Sequence, residues 1–257
     1  MDGRRLQRAM AISLGVAFLL GGGVAGGSQA TAAARGPAVQ NATAGAAPEC
    51  QNRADCGSPL KAGLRITFTG WACTIGFFAS NPETRKLFVV TAGHCTSGSG
   101  LFAQWSHHGT VIGRAALDAF EDGSTADAGA IELEESAFAN VVYESAGSDL
   151  RPVEATLPDT SQTIGSEVCR SGGTSGWTCG KIVAVDVDTT VAGKHIRHTW
   201  WTDFPSASGD SGGTIVDPAG HLLGIVIATT PTQSVYSTVD SVAGELDLVP
   251  CVEEACA

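Results

Sequence analysis

The chain is poor in charge. Only 16% of its 257 residues are Asp, Glu, Lys or Arg. Its body holds no Lys/Arg cluster, and the formal net charge is −11. A protein that tracks a phosphate backbone needs a basic face, so nucleic-acid binding is excluded as the expected role. The acidity itself is read as solubility. No CxxC-like spacing joins the cysteines, which leaves a zinc site without its usual ligands. No strong internal repeat is seen. Helix–strand alternation is also missing, and with it the signature of a parallel α/β sheet. The apolar run Met10–Val24 is short for a membrane span and is weakened by Gly21-Gly22-Gly23.

What is present points to strands. Glycine is abundant at 33 residues, and hydrophobic residues make up 43%. That mixture suits short strands and tight turns. Leu64–Phe68 alternates like a half-buried strand. Strands are also predicted over 72–78, 86–91, 111–116, 128–133, 167–170, 177–187, 195–202, 214–216 and 222–228. A brief helix is expected within 134–145, and another over Ser241–Leu248. Many short strands at regular spacing mean an all-β sandwich or barrel.

The first residues read as a targeting segment. Arg4, Arg5 and Arg8 precede the apolar run, and Ser28/Ala30 or Ala32/Ala34 offer small-residue cleavage sites. A signal peptide over 1–34 is therefore expected, with a membrane anchor as the weaker rival. Arg4-Arg5 leaves the export route open between the general and twin-arginine systems. Residues 35–62 are expected to be a leader, pro-segment or flexible arm. Two β units follow, over 63–155 and 156–257, with Arg151–Ser161 as the connector. The expectation is an extracellular protein, monomeric and free of the membrane once the signal is removed.

Eight cysteines lie beyond the apolar run. An even count in an exported chain reads as disulfides, although eight cysteines permit 105 pairings. Spacing suggests Cys50–Cys56 and Cys251–Cys256 near the two ends. It also suggests Cys169–Cys179 around a glycine-rich hairpin, which leaves Cys73 with Cys95.

Three segments carry chemistry. Gly209-Asp210-Ser211-Gly212-Gly213 precedes the apolar strand Thr214-Ile215-Val216. Glycines on both sides of a serine allow a turn tight enough to present Oγ while backbone N–H groups face a developing oxyanion. Thr91-Ala92-Gly93-His94-Cys95 ends the apolar run Leu87–Val90. A histidine fixed at the end of a buried strand has the rigidity that general-base work needs. The other histidines (His107, His108, His195, His198 and His221) lack such a setting. Asp127 precedes the short apolar strand Ala128–Ile131 and can be buried enough to orient an imidazole. Asp118 and Asp122 compete for that place from a loop.

The order is His, Asp, Ser. Gly209-x-Ser211-x-Gly213 also matches the nucleophile elbow of α/β-hydrolases. That fold needs its acid and then its histidine after the serine, and the short remainder of this chain holds only His221, close behind Ser211. The subtilisin order needs an acid on a core strand ahead of His94, and none is found.

These segments resemble the chymotrypsin superfamily, in particular its bacterial streptogrisin and α-lytic-protease-like branch. The matching stretches are Thr91–Cys95, Asp127–Ile131, Cys169–Cys179 and Gly209–Gly213. The resemblance extends over roughly 60–250, with weak similarity between the motifs. It implies two six-stranded antiparallel β-barrels with the active site in the cleft between them. It also implies a serine endopeptidase acting on protein or peptide substrates without cofactor or metal. His94, Asp127 and Ser211 would be the triad, and the N–H groups of Gly209 and Ser211 the oxyanion hole. A Cys73–Cys95 bridge and an Arg170–Asp210 ion pair are implied too. Two rival readings are a catalytically silent or latent protease-fold binding protein and an esterase-like hydrolase.

The chain also departs from the family. Phe204–Ser208, just before the nucleophile, holds no cysteine, and none follows until Cys251. Pro205 stands where trypsin-like members carry an aspartate. Preference for Arg or Lys is therefore not expected. Thr229 or Thr230 is expected to narrow the pocket mouth in favour of small or medium apolar side chains.

Overall fold

The computed structural model describes residues 52–134, 137–144, 150–252 and 256. The first part of the chain carries β1 (Leu60–Ala62), β2 (Arg65–Phe68), β3 (Trp71–Thr74), β4 (Phe77–Ser80) and β5 (Leu87–Thr91). Next come α1 (Gly93–Ser99), β6 (Gln104–His107), β7 (Thr110–Asp118), β8 (Gly129–Leu133), β9 (Phe138–Tyr143) and β10 (Leu150–Pro152). The second part carries β11 (Glu167–Gly172), β12 (Gly176–Val191), β13 (Lys194–Thr202), β14 (Thr214–Val216), β15 (Leu222–Thr229) and β16 (Ser234–Thr238). It ends with α2 (Val239–Leu246) and β17 (Val249–Pro250).

The second part closes into a barrel in the order β11-β12-β13-β16-β15-β14, with every pairing antiparallel. The first part pairs in the order β17-β4-β5-β8-β7-β6-β2-β3. In that order β3 and β4 are consecutive pieces of chain, separated only by Ile75 and Gly76. The pairings therefore run round and return to the strand they left. With Trp71–Ser80 counted as one bent strand, six strands make this ring, and β17 is added outside β4. Two six-stranded antiparallel units are what the resemblance implied.

Each unit has its own core. Leu64, Ile66, Ile75, Val89, Trp105 and Ile131 fill the first. Val168, Ile182, Trp200, Ile215, Val226 and Tyr236 fill the second. A third cluster draws Phe77, Val90, Phe120 and Ala128 from one unit and Val216, Ile225 and Val235 from the other, so it forms the seam. β5 shows why its sequence is a continuous apolar run. Val89 points into the first core while Phe88 and Val90 point into the seam. A strand buried on both faces has no polar face to alternate with.

Three expectations change. Within 134–145 the structure places a strand, β9, and not a helix. β9 pairs in parallel with β1 and antiparallel with β10, and Phe138 stacks on Phe78 with ring centroids 4.4 Å apart. Tertiary pairing decides the matter over local pattern. The arm expected to be flexible through residue 62 is packed from Arg53 onward. Arg53, Cys56, Leu60 and Ala62 are buried, and β1 supplies pairing partners. The second helix begins two residues early, at Val239, where Thr238 caps it by accepting from the Ser241 N–H at 3.3 Å. The signal segment, and the rest of the expected arm before Asn52, lie outside the described residues.

Cys73 is bonded to Cys95, Cys169 to Cys179 and Cys251 to Cys256. Cys56 is also disulfide-bonded, and Cys50 lies outside the described residues.

Candidate active site

The three sequence-selected residues meet at the seam. α1 begins directly after β5, so His94 sits in the first turn of a short helix whose approach is fixed by a strand buried on both sides. The Cys73–Cys95 bridge ties that turn to β3. Asp127 lies just before β8 and is fully buried. One of its carboxylate oxygens accepts from the His94 backbone N–H at 2.7 Å. The other is 2.6 Å from His94 Nδ1. His94 Nε2 is 2.9 Å from Ser211 Oγ. Asp118 and Asp122 are directed elsewhere. Asp118 accepts from Thr96 Oγ1 and the Phe120 N–H, while Asp122 accepts from the His195 N–H.

Since an ionised carboxylate only accepts, Nδ1 carries the proton and Nε2 is the free base facing the serine. Burial pulls the His94 pKa down. The hydrogen bond and charge of Asp127, with a further contribution from Asp118, more than offset that and leave it raised. Phe120 packs edge-on to the imidazole with centroids 6.1 Å apart.

Ser211 is held by backbone. Its carbonyl accepts from the Thr74 N–H at 2.8 Å, which ties the nucleophile turn to the first ring. Gly212 has φ +83°, and a Cβ there would sit 2.1 Å from Thr91 Oγ1 and 2.6 Å from the Thr74 carbonyl. Only glycine satisfies both the backbone angle and the space. The Gly209 carbonyl is turned toward Thr74 Oγ1, which donates to it at 2.7 Å. Among the described residues, neither the Gly209 N–H nor the Ser211 N–H donates to another protein group. Both are available to an incoming oxyanion.

Arg170 and Asp210 are both buried, with their closest charged atoms 3.7 Å apart. That is a looser contact than a direct hydrogen bond. Asp210 instead accepts from the N–H groups of Thr174, Ser175 and Ala207 at 2.8 to 2.9 Å, and from Ser175 Oγ. Burial raises its pKa, but these donors more than offset that and hold it low. Arg170 donates to Ser175 Oγ and Thr178 Oγ1 at 2.7 and 3.0 Å, and to the Pro205 carbonyl. Ser175 thus relays much of the coupling between the two charges.

Other contacts were not legible in the sequence. The Asp127 N–H donates to Ser237 Oγ of β16 at 3.1 Å, so the first unit's acid is anchored to the second barrel. Thr229 ties β15 to the loop before the nucleophile, accepting from the Ser206 N–H at 3.0 Å and donating to the Ser206 carbonyl at 2.9 Å. This pair braces the two segments. A threonine opposite a serine carries no signal of its own in a chain rich in both.

Two paired β units, with histidine and aspartate from the first and a serine turn from the second, define the chymotrypsin-like serine proteases. The comparisons agree. The chain is 28% identical over 163 residues to Serine protease 1 of Rarobacter faecitabidus, an overlap of 62% of this chain and 30% of that protein. The chain thus spans about a third of the length of this curated relative. The structure of the Nocardiopsis protease NAPase superposes with a TM-score of 0.64 at 25% identity, covering 74% of this chain and 97% of that one. Thermobifida fusca protease A superposes at 0.65 and 22% identity, covering 75% and 98%, and supports the fold alone. No family model matches the chain. In fold and in these relatives the chain is similar to chymotrypsin-like bacterial serine proteases.

Proposed function

We propose that the protein is a secreted serine endopeptidase, with Ser211 as nucleophile, His94 as general base and acid, and Asp127 as the orienting acid. The observation that carries this reading is the continuous chain from Asp127 Oδ2 through His94 to Ser211 Oγ, with both links at hydrogen-bond length. Ser211 Oγ attacks the peptide carbonyl carbon as its proton passes to His94 Nε2. The carbonyl oxygen takes the negative charge and faces the N–H groups of Gly209 and Ser211. Collapse breaks the C–N bond, His94 gives its proton to the leaving amine, and an acyl-Ser211 remains. Water then repeats the sequence, losing its proton to His94 and releasing Ser211. No step calls for a metal or cofactor.

Export is supported by three disulfides among the described residues, which persist in oxidising surroundings, and by the signal-like start of the sequence. Substrate choice follows from the loop before the nucleophile. Phe204–Ser208 carries no acid to receive Arg or Lys, and Thr229 closes against it. The proposed preference is for small to medium apolar side chains at the residue before the scissile bond. A peptide library dominated by basic residues at that position would refute the preference.

Reaction of the secreted protein with a fluorophosphonate probe tests the main reading. Wild type labels at Ser211, whereas Ser211→Ala and His94→Ala do not. Absence of labelling in folded, disulfide-intact wild type would instead favour a latent or non-catalytic protein.

A further inference from the structure

The least expected buried group is Arg53, in the arm that precedes β1. Only 8% of it is exposed. Its Nη1 donates to the Gly63 carbonyl at 3.0 Å and to Ser171 Oγ at 2.6 Å. Its Nη2 donates to the Glu144 carbonyl at 2.6 Å, and the guanidinium lies 4.8 Å from the Tyr143 ring centroid. Ser171 Oγ passes the contact on to the Tyr143 carbonyl at 2.5 Å. Gly63 follows β1 and Tyr143 ends β9 in the first part of the chain, and Ser171 belongs to the second barrel. One side chain from the arm therefore joins both.

Its position behind the nucleophile gives this joint a consequence. Ser171 pairs with Thr214, three residues beyond Ser211. The next residue, Gly172, runs so close to Asp210 that a Cβ there would sit 2.4 Å from Oδ1. β11 is thus the back wall of the nucleophile turn, and Arg53 grips that wall from the side of the arm. Among the described residues Arg53 forms an ion pair with no carboxylate; its hydrogen-bond partners are two carbonyls and a hydroxyl. Burying a cation on neutral partners is costly, and it lowers the Arg53 pKa to about 10. An apolar side chain would pack the arm more cheaply. Tyr143 and, after it, Asp210 act on Arg53 in the raising direction and Arg170 in the lowering one, so the guanidinium feels the charged groups behind the nucleophile turn.

We propose that Arg53 is a positioning residue that couples docking of the N-terminal arm to the shape of the Asp210–Gly213 turn, so that the active protein is the form with the arm seated from Arg53 onward. This rests on the serine-protease reading above. In that form Arg53 holds Ser171, Ser171 sits opposite Thr214 in the β11–β14 pairing, and Gly172 of β11 packs directly against Asp210. Without Arg53 the turn loses its back support, and the Ser211 and Gly209 N–H groups lose alignment. Acylation then slows, while the substrate-binding surface stays as it was.

The test uses the whole protein with Arg53→Ala, Arg53→Lys and Ser171→Ala. The rate of Ser211 labelling by fluorophosphonate, and kcat and KM on a peptide substrate, are measured well below the melting temperature with folding checked by circular dichroism. Arg53→Ala is expected to label at least tenfold more slowly with KM within about twofold. Added guanidinium at tens of millimolar is expected to restore part of the loss, and Arg53→Lys to retain more activity than alanine. A folded Arg53→Ala that labels at the wild-type rate overturns the proposal and leaves Arg53 a purely stabilising residue. If Arg53→Ala does not fold, Ser171→Ala decides. Slowed labelling at unchanged KM supports the proposal, and wild-type labelling overturns it. An unlabelled wild type would remove the serine-protease reading itself, and this proposal with it.

Discussion

Replacing Asp127 by asparagine changes little in shape and reverses a proton. The His94 backbone N–H can only donate, and it lies 2.7 Å from Asp127 Oδ1. The asparagine carbonyl must therefore take that place, which turns its NH₂ toward His94 Nδ1. Nδ1 becomes the acceptor and Nε2 carries the hydrogen. At 2.9 Å from Ser211 Oγ, that Nε2–H can donate to the serine but cannot receive its proton. Loss of the right tautomer in such a triad lowers kcat about 10⁴-fold, or about 5 kcal/mol of transition-state stabilisation. Because the amide matches the carboxylate in volume and keeps both hydrogen bonds, one of them reversed in direction, the melting temperature should shift far less than the rate. Steady-state kinetics on a peptide ester, with circular dichroism on the same sample, measure both. A folded Asp127→Asn with kcat within tenfold of wild type would refute this chain of reasoning and the role given to Asp127.

Two further outcomes follow from the same geometry. On the proposed mechanism His94 must be neutral to act, and its pKa is raised, so the acid limb of kcat/KM should lie above the ordinary histidine value. Activity is then lost as pH falls through that midpoint, and Asp118→Asn, by removing one of the raising charges, should move the limb to lower pH. An unmoved limb in the pH–rate profile would show that Asp118 does not act on His94. Cys73 and Cys95 are 22 residues apart, and a loop of that length contributes about 3 kcal/mol by the chain-entropy argument. The double alanine variant should lose that much in urea unfolding, and a loss under about 1 kcal/mol would contradict the chain-entropy estimate.

The site was legible where chemistry demands particular residues at short, fixed spacing. Thr91–Cys95 and Gly209–Gly213 announce themselves because a strand end, a tight turn and a reactive side chain must coincide within five residues. Asp127 needed an argument about the strand after it, and the structure turns the rival Asp118 toward Thr96 and Phe120. β9 was not legible. Its pattern is ambiguous alone, and its strand character comes from β1, which lies in a stretch that reads as a loose arm. Ser237 and Ser175 are small polar residues of a type found throughout the chain, and no local signal marks them; Thr229 was expected at the pocket mouth, but its bonds to Ser206 were not.

The sequence by itself determined the all-β class and the order His, Asp, Ser, and its spacings suggested Cys169–Cys179 and Cys251–Cys256. All of these rest on interactions between near neighbours or on residue types with few alternative uses. Beyond the His94–Ser211 contact, tertiary structure alone decided what crosses the seam. Asp127 reaches Ser237 across 110 residues of chain, and Arg53 reaches Ser171 across 118. Such pairs are set by how two closed β units twist and abut. Periodicity records which face of a strand is buried but not which distant face it meets.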